Sequence, residues 1–298
     1  MARPGLIERL EQGVFVLDGA MGTQLIAAGV APGGCNEALN LDAPEQIVAI
    51  HTRYLQAGSD AVLTNTFGGN AYSLRRHGRD GQVREINRAA AELARRAAGP
   101  DRYVLGDVGP TGDFLKPLGS LDPDDLRAAF AEQVRGLCDG GVDGILIETM
   151  TAVDEAVAAV EAARSVTSLP VFASFAFDPA GSGFRTMMGV DPAGAWAALA
   201  ERGVAGVGFN CGTLSMEQYI ALARAWVDVT AETEGLFLLA EPNAGRPELE
   251  DGQAVYRLSP DDFAAAVARI HHAGVRIVGG CCGTGPEHIA ALARTLRS

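Results

Sequence analysis

Three cysteines carry the strongest chemical signal in this chain. Cys281 and Cys282 are adjacent, in Gly279-Gly280-Cys281-Cys282-Gly283-Thr284, and Cys211 lies seventy residues earlier, in Gly208-Phe209-Asn210-Cys211-Gly212. Each run is a short apolar, β-like stretch that ends in small residues and cysteine. Three thiolates gathered at strand ends make a zinc site with one position left open, and that open position separates a zinc that does chemistry from one that only holds structure. Neighbouring residues on a strand point to opposite faces. Cys281 and Cys282 therefore reach one ion only where the strand has ended and the backbone turns, and Gly279, Gly280 and Gly283 permit such a turn. Buried free thiols and a vicinal disulfide are the alternatives to zinc.

Two acids, Asp18 and Glu148, also end apolar runs. A buried carboxylate is costly unless it is paired. Each is therefore either an internal ion pair or turn cap, or a receptor for a cationic amino group. Gly19, Ala20, Met21 and Gly22 follow Asp18 directly, and their backbone N–H groups can form a nest for a carboxylate. An acid beside a nest suits an amino acid, which carries both charges. Cys138 falls in a predicted helix and reads as core packing, whereas Cys35 lies on a loop from which it could approach the site. His271 and His272 end the last major predicted helix, on the wrong rim for a shared site, and His288 reads as structural. No glycine-rich phosphate loop and no G-x-S-x-G elbow is present.

Eight β-like runs would carry these residues: Val14–Ala20, Ala61–Phe67, Tyr103–Gly109, Gly144–Met150, Val171–Phe177, Gly206–Gly212, Leu236–Asn243 and Arg276–Gly283. Helical stretches alternate with them at Pro44–Ala57, Val83–Ala98, Pro123–Asp139, Ala152–Ser168, Ala193–Arg202, Met216–Glu232, Pro260–His272 and Pro286–Arg297. Continuous apolar strands alternating with amphipathic helices are the pattern of parallel βα units, and eight such units predict an α/β fold of the (β/α)8 TIM-barrel type, without a linker that would divide two domains. Active sites of such barrels lie at the C-terminal ends of the strands. The polar and small clusters of this chain gather at those ends.

The 298 residues are 48% hydrophobic, with a net charge of −13 and a pI near 4.8. The lack of any basic run argues against nucleic-acid binding. No apolar run approaches the ~20 residues of a membrane span, and no secretory leader is visible. With an odd number of cysteines, five, the expectation is a cytoplasmic protein whose thiols are free or metal-bound.

The motifs Asp18-Gly19-Ala20-Met21-Gly22-Thr23, Thr64-Asn65-Thr66-Phe67, Gly109-Pro110-Thr111, Glu148-Thr149, Asn210-Cys211, Pro242-Asn243-Ala244-Gly245 and Gly279-Gly280-Cys281-Cys282-Gly283-Thr284 resemble, in order, those of the zinc-dependent homocysteine S-methyltransferases. The resemblance looks closest to the homocysteine-binding barrel of cobalamin-dependent methionine synthase. It implies one homocysteine-binding barrel over 1–298 and zinc on Cys211, Cys281 and Cys282. It also implies Asn243 in the open position at rest, and Asp18 and Glu148 on the substrate amino group. Gly19, Ala20, Met21, Gly22, Thr23 and Asn210 would complete the substrate site.

Folate-, cobalamin- and reactivation-type modules are expected to lie outside the chain. The methyl donor would then come in trans, from methylcobalamin, from a separate corrinoid protein or from another methyl-donor protein. Dependence on S-methylmethionine or betaine, methylation of another thiol, and a non-catalytic thiol amino-acid sensor with structural zinc remain as alternatives. Three loops, Asp113–Leu121, Asp178–Met188 and Arg246–Tyr256, are long enough to cover the site.

Overall fold

The computed structural model describes residues 3–250 and 253–297. Asp251 and Gly252 of the expected covering loop, and Met1, Ala2 and Ser298 of the expected domain, lie outside the described residues. Eight parallel strands form one sheet: β1 (Phe15–Val16), β2 (Ala61–Leu63), β3 (Tyr103–Val108), β4 (Gly144–Met150), β5 (Val171–Phe175), β6 (Gly206–Asn210), β7 (Phe237–Glu241) and β8 (Ile277–Val278). From β2 to β8 each strand pairs with its neighbours in sequence, and β8 returns to pair with β1. The fold is the (β/α)8 barrel that the alternation predicts.

One seam, between β1 and β2, is closed differently. There the Asp60 N–H donates to the Val16 carbonyl at 2.6 Å, the Asp60 carboxylate accepts from Val16 N–H at 2.9 Å, and the Asp18 carboxylate accepts from Leu63 N–H at 3.1 Å. Side-chain oxygens thus take the place of part of the ladder. Asp18 serves the scaffold with one oxygen, through a strand-to-strand bond that is neither the ion pair nor the turn cap considered from sequence.

Strand parity divides the core in two. Val16, Val62, Val104, Ile145, Ile147, Val207, Phe209 and Val278 face outward and pack with the helices in the larger apolar cluster. Phe15, Leu17, Tyr103, Leu105, Leu146, Phe172, Leu239 and Ile277 face inward and fill the barrel with Leu6 and Leu10 of the helix Leu6–Glu11. This is the layered filling expected of a small barrel, in which alternate residues point to the axis. The inward row does not stay apolar. Two residues beyond Leu105, Leu146 and Leu239 stand Asp107, Glu148 and Glu241, all buried. The last inward layer is therefore acidic.

The helices begin where their caps predict. Asp122 and Ser259 accept from Asp124 N–H and Asp262 N–H, with Pro123 and Pro260 following. Such caps satisfy backbone donors that the first turn leaves free. The strand ends are shorter than the apolar runs, because the terminal residues of each run turn into the rim loops. Two of those loops fold into hairpins, Asp178–Ala180 with Gly183–Arg185 and Glu248–Glu250 with Gln253–Val255. Among the described residues no helix is long and apolar enough to cross a membrane.

At Gly208 the close approach of β6 to β7 leaves no room for a side chain, since a Cβ there would collide with the Leu239 carbonyl oxygen. Gly208→Ala should lower stability by about 3 kcal/mol through overpacking against backbone. Denaturant titration checks this, and an unchanged midpoint would show that the two strands separate freely.

Candidate metal centre and pocket

Cys211 directly follows β6, and Cys281 and Cys282 follow β8 after Gly279 and Gly280. The three Sγ atoms lie within 4.8 Å of one another, with Cys211 and Cys282 3.9 Å apart. Tetrahedral zinc with Zn–S near 2.3 Å spaces its sulfurs by about 3.8 Å. The three thiols therefore fit such an ion with little movement.

The local backbone explains how neighbouring cysteines converge. Cys281 N–H donates to the Pro242 carbonyl at 2.9 Å, the Cys281 carbonyl accepts from Thr284 Oγ1 at 2.7 Å, and the Cys282 carbonyl accepts from Ala244 N–H at 2.9 Å. The chain then turns at Gly283, whose φ is +80°. Cys211 itself has φ +52°, and Thr149, after Glu148, has φ +60°. Positive φ is uncommon for residues other than glycine, and for a β-branched residue it is a genuine outlier. Both strained residues sit beside the same site, where surrounding bonds hold them.

The three sulfurs hold protons unequally. Hydrogen bonds from Cys211, then Cys281, hold Cys282 down at about 3, with help from the Tyr256 hydroxyl. The bonds that Cys281 gives to Cys211 and Cys282 push its own thiol well up, as does its burial. Against the hydrogen bond from Cys281, which lowers it, Cys211 is pushed up to about 12 by the bond it gives Cys282 and by burial. One sulfur thus carries the negative charge that three close sulfurs cannot all carry unaided.

Beside the thiols is a cavity of about 270 Å³ lined by Ala20, Met21, Gly22, Thr23, Asn36, Glu37, residues 64–67, Asp107, Glu148, Thr149 and the three cysteines. A smaller cavity of about 60 Å³ continues it, lined by Asp18, Gly19, Leu63, Glu241 and Gly280 together with Ala20, Met21, Thr64, Asp107, Glu148 and Cys281. Burial pushes the carboxyls of Asp18, Asp107, Glu148 and Glu241 above the usual carboxylate range. For Asp107 and Glu241 the nearby Glu148 adds to the effect.

The predicted site residues meet different fates. Asp18 and Glu148 reach the cavities, as do residues 19–23. The expected nest at Gly19–Gly22 is in fact the start of the helix Met21–Ala27, and Ala20 N–H is taken by Thr284 Oγ1 at 3.1 Å. Asn210, expected to touch substrate, is fully buried and lines neither cavity. Its Nδ2 donates to Glu148 Oε2 and Thr149 Oγ1 and comes within 3.8 Å of Cys281 Sγ, while its Oδ1 accepts from Thr149 N–H and Ser174 Oγ. It positions the acid and the strained threonine from behind. Asn243 is buried, donates from Nδ2 to the Gly212 carbonyl at 2.8 Å, and leaves Oδ1 without a partner. Like Asn210, it lines neither cavity.

Cys35 pairs with Glu37 at 3.6 Å, and Cys138 packs against the outer core. His288 accepts from Gly285 N–H through Nδ1, with Nε2 3.0 Å from the Leu258 carbonyl, which is a structural role. Three residues were not assigned from sequence. Asp107 and Glu241 were legible by parity, since each continues an inward apolar row. Tyr256 had no local signal, because its place over Gly283 and beside Cys282 depends on how the loop after β7 folds back.

A profile of the family described as homocysteine S-methyltransferase matches residues 15–296. The methionine synthases of Mycobacterium tuberculosis (strain ATCC 25618 / H37Rv) and Mycobacterium leprae (strain TN) are each 37% identical over 306 aligned residues, covering 97% of this chain and 25% of theirs. The chain thus spans about a quarter of the length of these curated relatives. The metallated form of the homocysteine methyltransferase MmuM from Escherichia coli superposes with a TM-score of 0.77 at 26% identity, over 97% of both chains. A methyltransferase from Methanosarcina mazei, at 12% identity and a TM-score of 0.62, shares the fold. With the profile spanning the whole barrel and the curated relatives aligned along nearly the whole chain, this protein belongs to the homocysteine S-methyltransferase family.

Proposed function

We propose that this barrel, 1–298, catalyses zinc-dependent methyl transfer to the thiolate of L-homocysteine, giving L-methionine, with the methyl donor supplied in trans by a methylated corrinoid protein or methylcobalamin. The observation that carries the reading is the convergence of three Sγ atoms within 4.8 Å at the wall of a pocket whose floor is acidic. Cys211, Cys281 and Cys282 would hold the ion, with Asn243 as the ligand that the substrate sulfur replaces. When bound, zinc keeps the substrate thiol deprotonated, whereas a free thiol of pKa near 8.5 is mostly protonated at neutral pH.

The protein does the rest by placement. Asp18 and Glu148 draw the substrate ammonium to the floor, and the first backbone N–H groups of the helix Met21–Ala27, whose opening residues line the cavity, would receive its carboxylate. With both ends held, the sulfur approaches the methyl carbon in line, and the bond from that carbon to the donor breaks as the new one forms. Positioning of this kind removes much of the entropic cost of the encounter. Transfer to an existing thiolate needs no general base, so the acids are assigned to binding. Phe67, Phe114, Leu118, Met187 and Leu249 are exposed on the rim loops after β2, β3, β5 and β7.

Zinc X-ray absorption with and without L-homocysteine tests the reading. A change from three sulfurs and one lighter ligand to four sulfurs is expected. An unchanged spectrum would move the protein to the sensor or other-thiol reading. Turnover with methylcobalamin but not with S-methylmethionine or betaine is expected, and the reverse would reassign the donor.

A further inference from the structure

We infer that Asp107 and Glu241 join Asp18 in a three-point receptor that selects a primary ammonium group on the substrate. The inference rests on the reading of the pocket as a site for an amino-acid thiol. It goes beyond that reading by assigning two acids that had no role.

Three carboxylate oxygens near the floor are buried and have no hydrogen-bond partner: Asp18 Oδ1, Asp107 Oδ1 and Glu241 Oε2. All three residues line the 60 Å³ cavity. No arginine, lysine or histidine lines either cavity among the described residues. A buried carboxylate oxygen without a partner is costly, and three around one small space mark a place shaped for a donor from outside. A primary ammonium carries three N–H donors and no acceptor, so the two sets match one to one. The second oxygen of Asp18 is occupied at Leu63 N–H, and Glu148 Oε2 already accepts from Asn210 and Thr149. Glu148 thus keeps only Oε1 for a ligand, while the buried free acceptors come from the other three acids.

The scale suits one nitrogen head group, since a water-sized particle takes about 30 Å³ of liquid volume. Cys281 lines both cavities. The receptor and the sulfur site are thus joined by a short path that an amino-acid side chain can span. An N-methylated amine would lose one donor, leave one buried oxygen unpaired and need more room.

Calorimetric titration of the zinc-loaded protein with three thiols tests the inference: L-homocysteine, 4-mercaptobutanoate, which lacks the amine, and N-methyl-homocysteine. Wild-type protein should bind the N-methylated thiol about tenfold or more weakly than homocysteine. Asp107→Val and Glu241→Met should each weaken homocysteine by about tenfold or more and leave 4-mercaptobutanoate unchanged, and Asp107→Asn, which keeps a carbonyl oxygen, should recover part of the loss. Circular dichroism and zinc content report whether the variants fold. Equal weakening of homocysteine and 4-mercaptobutanoate, or equal wild-type affinity for homocysteine and its N-methyl derivative, would overturn the inference. The wild-type comparison decides even where a variant fails to fold. Absence of binding by every thiol would instead overturn the functional reading, and this inference with it.

Discussion

Cys281→Ala should empty the metal site and lower turnover by more than about a thousandfold, because the standing thiolate nucleophile is lost with the ion. Cys281 is the central residue of the cluster in two senses. Its sulfur lies within 4.8 Å of both other sulfurs, and its side chain lines both cavities. The barrel does not depend on this ion for its core, since the apolar layers lie on the strands below the rim. Zinc per chain by elemental analysis should therefore fall toward zero while the unfolding transition stays close to that of the parent. Retained zinc with full turnover would remove the cysteines from the site. Loss of zinc together with the fold would favour the structural-zinc alternative.

Glu148→Ala should raise the homocysteine requirement by roughly a hundredfold, the scale for deleting one partner of a buried charged contact, while zinc content stays normal. The carboxylate lines both cavities, and its charge helps push the carboxyls of Asp107 and Glu241 up. Its removal leaves Asn210 Nδ2 with Thr149 Oγ1 as a remaining partner, so the contact of Asn210 with Cys281 should survive. Saturation kinetics and elemental analysis on the same preparation separate the outcomes. A fall in zinc occupancy would show that Glu148 acts on the metal through Asn210 and Cys281, and would withdraw it from the substrate.

Much of this site was legible because the information is local. The apolar runs that alternate with capped helices specify parallel βα units. In a closed barrel, every strand C-terminus faces one rim, which is enough to bring Cys211 and Cys281-Cys282 together across seventy residues. Strand parity is local as well. It places Asp107, Glu148 and Glu241 on the same inward row as Leu105, Leu146 and Leu239. The significance of Asp107 and Glu241 stayed hidden because parity gives a direction and not a neighbour. Whether two inward acids meet each other, a cation or water depends on how the strands are staggered.

The other differences follow from contacts between segments distant in the chain. Asp18 reads as a ligand-binding acid on its own strand, yet half of its carboxylate closes the barrel at Leu63, a bond that exists only once β1 and β2 are side by side. The glycine-rich stretch after it reads as a nest, but Thr284 takes the Ala20 N–H and Thr23 Oγ1 accepts from Gly283 N–H, and the segment winds into a helix against the cysteine turn. Asn210 precedes Cys211 and so reads as part of the pocket, but its amide is committed to Thr149, Ser174 and Glu148 and lines neither cavity. By itself, then, the sequence determined the barrel, the rim and the three sulfurs, since each of these depends on period, capping and residue type along a single segment. Only the tertiary structure decided which oxygens were spent on closing the barrel and which stayed free for a ligand, because hydrogen bonds between distant strands are allotted only when the sheet closes.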